Sequence, residues 1–179
     1  ADTTPPARSE AITRGETVIL TGDFNAGPDE EPIRILREAA LLRDSRTISQ
    51  TKPYGPSGTF HDFDLTNFVD EPIDYYDFDF LGTQEGYLEQ LRDIDALEGY
   101  DYIGVGRDDG KEAGEHSAIF YRCDRFDLLD QGNFWLSETP EVPSHGWDAS
   151  ECLRICSWGH FRDRVSGKTL YFFNVHYED

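Results

Sequence analysis

Residues 18–25 (VILTGDFN) form an apolar run that ends in two polar side chains able to do chemistry. Asp23 and Asn25 follow Gly22 and are separated by one residue. Alternate side chains of an extended chain share a face, so the carboxylate and the amide point the same way. A strand that stops here can hold both groups toward a ligand. The structural alternative is an Asx turn that caps the strand.

Two other apolar runs end in a similar manner. Residues 80–85 (FLGTQE) lead into Gln84 and Glu85 ahead of a helical pattern. The alternative for Glu85 is an acid placed at a helix start, where the helix dipole favours it. Residues 170–177 (LYFFNVHY) carry Asn174 and His176 two positions apart on one face of a predicted strand. The alternative for His176 is a structural histidine with its hydrogen bonds satisfied.

The three strand ends together offer carboxylates, amides and an imidazole. Mg²⁺ prefers oxygen ligands and keeps several of its waters. A transferring phosphoryl group is stabilised by a metal ion and by a hydrogen-bonding imidazole. The residue types therefore suit chemistry on a phosphate ester with Mg²⁺, or Mn²⁺, as the cofactor. We expect Asp23, Glu85 and His176 to converge in one cavity.

The composition limits the partners. The 179 residues include 36 acidic and 16 basic ones, which gives a formal charge of −20. This charge excludes a basic surface that binds nucleic acid by counterion release. A polyanionic substrate must then be held by metal ions or by a few local cations. No apolar run reaches the roughly 18 residues that a membrane-spanning helix needs. We expect a monomer located in the cytoplasm, with no membrane span.

Lysine is scarce among the basic residues, and methionine is absent. Acidic excess with little lysine resembles proteins of salt-loving organisms, in which molar salt screens the repulsion between surface carboxylates. An ordinary acidic protein is the alternative. The three cysteines, Cys123, Cys152 and Cys156, make no disulfide framework because their number is odd. We expect Cys152 and Cys156 to be buried thiols on one strand face.

Strand patterns outnumber helical ones along the chain. Apolar or β-branched runs predict strands, and apolar spacing of three and four predicts helices. Strands are expected at 17–20, 78–81, 102–105, 118–122, 153–161 and 169–176, helices at 32–42 and 87–96, and long loops at 108–115 and 140–149. Because the helices fall between blocks of strands, we predict a single layered domain of the α/β or α+β class.

The motifs GDFN, LGTQE and NVH resemble those of the endonuclease/exonuclease/phosphatase superfamily, which has the DNase I-like fold. The segments GTFHDF, GVGRDDGKEAGEHSAIFYR and FWLSETP are similar to bacterial and archaeal members of its deadenylase-like branch. The resemblance covers nearly the whole chain. It implies an α+β fold, namely a four-layer α/β/β/α sandwich of two mixed sheets with the active site at one edge.

The resemblance also implies a function and roles for the motif residues. The implied activity is Mg²⁺-dependent hydrolysis of phosphodiester or phosphomonoester bonds by attack of water. Glu85 matches the metal ligand, and Asp23 matches the aspartate that orients or deprotonates the water and also contacts metal. Asn25 would hold the phosphoryl oxygens. His176 would donate a hydrogen bond or proton to the phosphate, and Asn174 would support it from the strand.

Five further residues are weaker candidates. Arg107 could neutralise a substrate phosphate or pair with one of the two aspartates that follow it. His61 fits either the mouth of the site or a hydrogen-bonded turn. Trp135 and Trp147 could stack on a base or sugar, but packing suits them better. Arg154 is expected in mid-strand, paired with a carboxylate or in contact with substrate.

The chain departs from the superfamily in motif order. GDFN comes first and NVH last, so residues 1–75 match the family's C-terminal half and residues 76–179 its N-terminal half. The first family strand and the closing Ser-Asp-His are missing at the junction. A circular permutant, a chain lacking its ends and segments joined out of order are the alternatives. We favour incomplete segments, because the family sandwich needs about 250 residues.

The missing groups leave a second functional hypothesis open. The family's closing histidine, which serves as the general base with an aspartate, has no counterpart in the sequence. The chain could therefore be a non-catalytic acidic binding module that keeps the fold. Retention of Asp23, Asn25, Glu85 and His176 favours the enzyme. Substrates in the superfamily include DNA, RNA tails, lipid head groups and small phosphate esters, and the residues select none of them.

Overall fold

The computed structural model of the protein describes residues 16–23, 31–38, 78–146 and 152–177. Contacts divide the chain into two compact units, one made of residues 1–25 with 78–179 and the other of residues 26–77. In the second unit, helix α1 spans Glu31–Glu38 and overlaps the helix predicted at 32–42, beginning one residue earlier. Arg34 pairs with Glu31 and Glu38 on its exposed surface.

The described part of the first unit consists of two sheets and a helix. Its described elements are β1 (Thr17–Asp23), β2 (Phe80–Gly82), α2 (Leu88–Asp95), β3 (Tyr100–Ile103), β4 (Ile119–Arg122), β5 (Phe126–Trp135), β6 (Ile155–Asp163) and β7 (Thr169–His176). The first sheet has the order β1-β7-β6-β5 and the second has the order β2-β4-β3. The β1–β7 pair is parallel and the other pairs are antiparallel, so the first sheet is mixed.

The two sheets pack against each other through an aromatic core. The main cluster contains Ile103, Ile119 and Tyr121 from the second sheet with Phe126, Phe161 and Phe172 from the first. The ring of Phe80 contacts the rings of all three of these phenylalanines. Removing this much apolar surface from water is the main stabilising contribution to the sandwich.

Helix α2 covers the opposite face of the second sheet. Side chains alternate along β4, so Ile119 and Tyr121 enter the core between the sheets while Phe120 faces the helix. Phe120 is fully buried and packs with Leu91 of α2 and Ala118. The described part of this unit thus contains a helix layer and two sheet layers, and the predicted α+β sandwich is confirmed. No helix in the described residues is long and apolar enough to cross a membrane.

Most predicted elements are present, with shifted ends. β1 runs beyond residue 20 to Asp23 because its last residues pair with β7. The strand predicted at 102–105 lies at Tyr100–Ile103, where it pairs with β4. Strand β5 was not predicted, because a polar stretch interrupts its apolar pattern and the pairing with β6 shifts at residues 128–130.

Two predictions about the start of β6 are wrong. The strand predicted at 153–161 begins at Ile155, so Arg154 precedes the strand and is not in its middle. Cys152 also lies before the strand and is half-buried, whereas Cys156 is buried. Burial raises the pKa of the Cys156 thiol well above its ordinary value, which keeps it protonated. The expectation of two buried thiols on one strand face therefore holds for Cys156 alone.

Candidate active site

A cavity opens to solvent at the edge of the first unit where β2 and β7 end and β6 begins. Four residues that the sequence marked as candidates line it: Glu85, Arg107, Arg154 and His176. Its other lining residues are Glu115, His116, Ser117, Leu153 and Ile155. The structure thus brings together side chains from loops and strand ends that are up to 91 positions apart in the sequence.

Asp23 is placed by the parallel pairing of β1 with β7. The ladder runs from Thr17 opposite Leu170 to Asp23 opposite His176. The backbone of Asp23 therefore ends its strand beside the histidine of the cavity. Two other predicted site residues, Asn25 and His61, lie outside the described residues, as does the junction at 75–76.

Asn174 links the two sheets beneath the cavity and is fully buried. Its Nδ2 donates to the carbonyl oxygens of Thr83 and Ala118, both at 2.9 Å. Its Oδ1 accepts from Gln84 Nε2 at 2.8 Å and from Thr21 Oγ1 at 3.1 Å. Both the nitrogen and the oxygen of the side-chain amide are thus fully hydrogen-bonded within the protein. Asn174 fixes the segment before Glu85 against the strand that carries His176.

Glu85 has a strained backbone and an exposed carboxylate. Its φ is 58°, a left-handed conformation that is uncommon for a residue other than glycine. Such strain is found most often at functional sites. Helix α2 begins at Leu88 with Tyr87 as its N-cap, so Glu89 is the acid of its first turn. Glu85 therefore lies outside the helix, contrary to the alternative explanation of its position.

The carboxylate of Glu85 faces the imidazole of His176. Glu85 Oε1 lies 3.9 Å from His176 Nε2, and the two side chains are 66% and 8% exposed respectively. An exposed carboxylate beside a buried imidazole can bind a cation from solvent while the ring stays fixed. This pair is the part of the predicted constellation whose side chains the structure describes directly.

His116 holds the turn that carries Glu85, and the sequence analysis did not single it out. Its backbone N–H donates to the carbonyl of Gly86 at 2.9 Å, and its Nδ1 lies 3.1 Å from the same oxygen. A carbonyl only accepts, so Nδ1 of this buried ring carries the proton. His116 lies in the segment GVGRDDGKEAGEHSAIFYR, but its spacing from other polar residues does not mark it as a site residue.

Arg107 belongs to an ordered loop and pairs with Glu115. Its Nη1 lies 2.7 Å from Glu115 Oε2, whereas its contact with Asp108 is 4.0 Å. The strong ion pair is therefore with Glu115 and not with either predicted aspartate. Asp109 instead accepts hydrogen bonds from the backbone of the same loop, which lower the pKa of its carboxyl. The guanidinium of Arg107 remains in the cavity lining.

Trp135 packs beneath this loop. Its side chain is buried and its Nε1 donates to the backbone oxygen of Arg107 at 2.7 Å. The packing role expected for this tryptophan is confirmed, and stacking on a base or sugar is excluded by its burial. Trp147 lies outside the described residues.

Two carboxylates line the cavity, but Glu115 is paired with Arg107, so Glu85 supplies the exposed carboxylate that could bind a metal ion. Among the described ranges, no group of three His, Cys, Asp or Glu side chains is arranged to hold a metal. Mg²⁺ is nevertheless commonly held by one or two carboxylates with several waters. The exposed carboxylate of Glu85 fits such an open, hydrated site. The backbone end of β1 brings Asp23 to the same edge.

Comparison with solved structures identifies similar proteins. A mannosyl-6-phosphatase of Bacteroides thetaiotaomicron is 65% identical, with a TM-score of 0.55, over 57% of this chain and 38% of its own. An endonuclease/exonuclease/phosphatase protein of Bacteroides vulgatus is 46% identical, with a TM-score of 0.55, over 56% of this chain and 39% of its own. A protein of Enterococcus faecalis is 35% identical, with a TM-score of 0.53, over 58% and 40%.

The comparisons confirm the resemblance to the endonuclease/exonuclease/phosphatase superfamily and its fold. No protein-family model matches the sequence, and a search of curated proteins gave no significant relative. The chain spans between 38% and 40% of the length of these three solved structures. The finer placement in a deadenylase-like branch remains a prediction from the motifs.

Proposed function

We propose that this chain contributes the active site of a Mg²⁺- or Mn²⁺-dependent hydrolase of phosphate esters. The observation that carries the proposal is the convergence of Glu85, Arg107 and His176 in one cavity at the edge of the sandwich. The similarity to endonuclease/exonuclease/phosphatase proteins supports the same class of reaction. This similarity favours a hydrolase over a non-catalytic binding module.

Each side chain has a role that its chemistry supports. Glu85, with Asp23 beside β7, would hold the metal ion, which when bound neutralises charge on the phosphoryl group. Asp23 would orient the attacking water. His176 would donate a hydrogen bond to a phosphoryl oxygen as negative charge develops there. Arg107, although paired with Glu115, would supply further positive charge at the cavity wall.

The substrate class that we test first is a sugar phosphate monoester. This choice rests on the similarity to a protein described as a mannosyl-6-phosphatase. Diesters, including nucleic acid, are the alternative substrates and belong in the same assay. The charge of −20 weakens binding of long nucleic acids in dilute buffer.

A metal titration tests the function. Turnover of mannose 6-phosphate, p-nitrophenyl phosphate and bis(p-nitrophenyl) phosphate is measured over a range of Mg²⁺ and Mn²⁺ concentrations. We expect metal-dependent turnover that Glu85→Ala lowers by at least about a hundredfold. Glu89→Ala, which removes an exposed acid from the first turn of α2, is the matched control and should keep full activity. Absence of both turnover and a heat of metal binding would favour the binding module.

A further inference from the structure

The imidazole of His176 lies between two charged side chains that contact its two nitrogens differently. Arg154 Nη1 lies 3.1 Å from Nδ1 of the ring. Glu85 Oε1 lies 3.9 Å from Nε2, on the side that faces the cavity. A cation therefore stands at one nitrogen and a carboxylate near the other. The positions of these two groups determine which nitrogen carries the proton of the neutral ring.

The guanidinium group fixes the role of Nδ1. Arginine has N–H donors and no acceptor, so the contact at 3.1 Å is a hydrogen bond only if Nδ1 accepts. A nitrogen that accepts carries no proton. In the neutral imidazole the proton is then on Nε2. The carboxylate of Glu85 on that side is an acceptor, which agrees with a donor at Nε2.

The fold holds both partners in place. Arg154 directly precedes β6, and the next residues of β6 pair with the end of β7, where Cys156 lies opposite Val175. Four hydrogen bonds of the Asn174 side chain, two donated and two accepted, fix β7 two residues before His176. The side chain of His176 is 8% exposed, so water has little access to the ring and the arginine is its neighbour within the protein.

We infer that Arg154 is a positioning residue that holds His176 as the Nε2–H tautomer. The ring then presents a hydrogen-bond donor to the cavity and cannot act there as a base through Nε2. Used in the proposed hydrolase, on which this part of the inference rests, the donor faces the phosphoryl oxygens. The arginine acts through the histidine and need not touch the substrate.

Nitrogen NMR of the full chain tests the tautomer without any assay of activity. Histidine is labelled with ¹⁵N, and the signals of His176 are assigned by their loss in His176→Gln. In the pH range where the ring is neutral, we expect a pyridine-type shift for Nδ1 and a pyrrole-type shift for Nε2. The opposite tautomer in the unsubstituted protein would overturn the inference.

Variants at Arg154 test whether this arginine causes His176 to adopt the Nε2–H tautomer. Arg154→Met removes the donor while keeping a long side chain, and we expect the Nδ1–H tautomer to appear. Arg154→Lys, which can still donate, should restore the Nε2–H form in part. Arg164→Gln is the control, since Arg164 pairs with Asp127 on an exposed surface. Unchanged His176 shifts in Arg154→Met, with the fold verified by circular dichroism, would also overturn the inference.

Kinetics separate this inference from the proposed function. We expect Arg154→Met to lower kcat on the order of tenfold or more with a small change in KM, because the lost contact acts on the transition state. A change in KM alone would indicate a substrate contact and contradict the positioning role. Absence of turnover in the unsubstituted protein together with the Nε2–H tautomer would defeat the proposed function and leave the tautomer assignment standing.

Discussion

Asp23 and His176 lie opposite each other at the end of the parallel β1–β7 ladder, although 153 positions separate them in the sequence. The preceding pair, Gly22 and Val175, leaves no room for a side chain on Gly22. Gly22 has a φ of 148°, and a Cβ built there would collide with the carbonyl oxygen of Val175. The close approach of the two strands at the site therefore depends on this glycine.

Gly22→Ala should lower the free energy of unfolding by about 3 kcal/mol or more, because backbone strain and the collision add. Gly99→Ala is the matched control, since Gly99 also has a left-handed φ, 89°, but has open space around it. Its expected cost is about 1–2 kcal/mol from strain alone. Urea unfolding measures both variants. Equal costs would contradict the close strand approach.

Asn174→Ala should destabilise the protein by about 2–4 kcal/mol, because it removes the side-chain donor of the Thr83 carbonyl and leaves the Ala118 carbonyl with the backbone N–H of Thr83 alone. Thr21→Val is the control. It removes one hydroxyl, which donates to Asn174 at 3.1 Å and lies 3.4 Å from the carbonyl oxygen of Phe173, and should cost about 1 kcal/mol. Urea unfolding gives both values. A loss for Asn174→Ala no greater than that for Thr21→Val would show that the link between the sheets is weak.

Glu85→Gly should separate stability from function. Glycine accepts a φ of 58° without strain, so the free energy of unfolding should rise by about 0.5–1 kcal/mol. The same change removes the proposed metal ligand, and Mg²⁺ binding measured by calorimetry should be lost. Glu85→Ala removes the carboxylate but keeps the strain, so it should lose metal binding without gaining stability. A destabilised glycine variant would show that Glu85 is not strained.

Asp163 should control part of the acid stability. Hydrogen bonds from Arg125 at 2.7 and 3.2 Å and from Ser166 at 2.6 Å hold the pKa of this carboxyl well below its ordinary value. A depressed pKa in the folded state adds stability above the unfolded pKa of about 4 and loses it as the pH falls through the folded pKa.

Asp163→Asn should therefore lower the Tm at pH 7, and its difference from the unsubstituted protein should shrink as the pH falls below about 4. Thermal scans from pH 7 to pH 2 measure this. Asp127→Asn, which breaks the more exposed pair with Arg164, is the control and should have a smaller effect. A difference in Tm that stays constant over the whole pH range would contradict the assignment.

Molar KCl should raise the Tm if the −20 charge belongs to a protein adapted to salt. Repulsion between carboxylates destabilises the folded chain in dilute buffer, and the ions screen it. Choline chloride at the same ionic strength tests whether screening suffices or whether a particular cation is needed. A Tm that is unchanged or lower in molar KCl would contradict adaptation to salt and indicate an ordinary acidic protein.

The sequence by itself determined the class of fold and the identity of several cavity residues. Alternating and apolar runs marked β1, β2, β4, β6 and β7, because local pattern is sufficient where a strand is buried on at least one face. Each motif was recognisable because polar residues directly follow such a run, as at Glu85 and His176. The charge and the scarcity of lysine also follow from composition alone.

The tertiary structure decided which side chains meet and what holds them. Strand β5 was invisible because pairing with β6, not its own pattern, makes it a strand. His116 gave no local signal, and Arg154 was expected to contact a carboxylate or the substrate, not a histidine. Each acquires its role from a partner, 30 positions away for His116 and 22 for Arg154. Contacts over such separations depend on strand register and packing. These are properties of the assembled sheets, so no short stretch of sequence carries them.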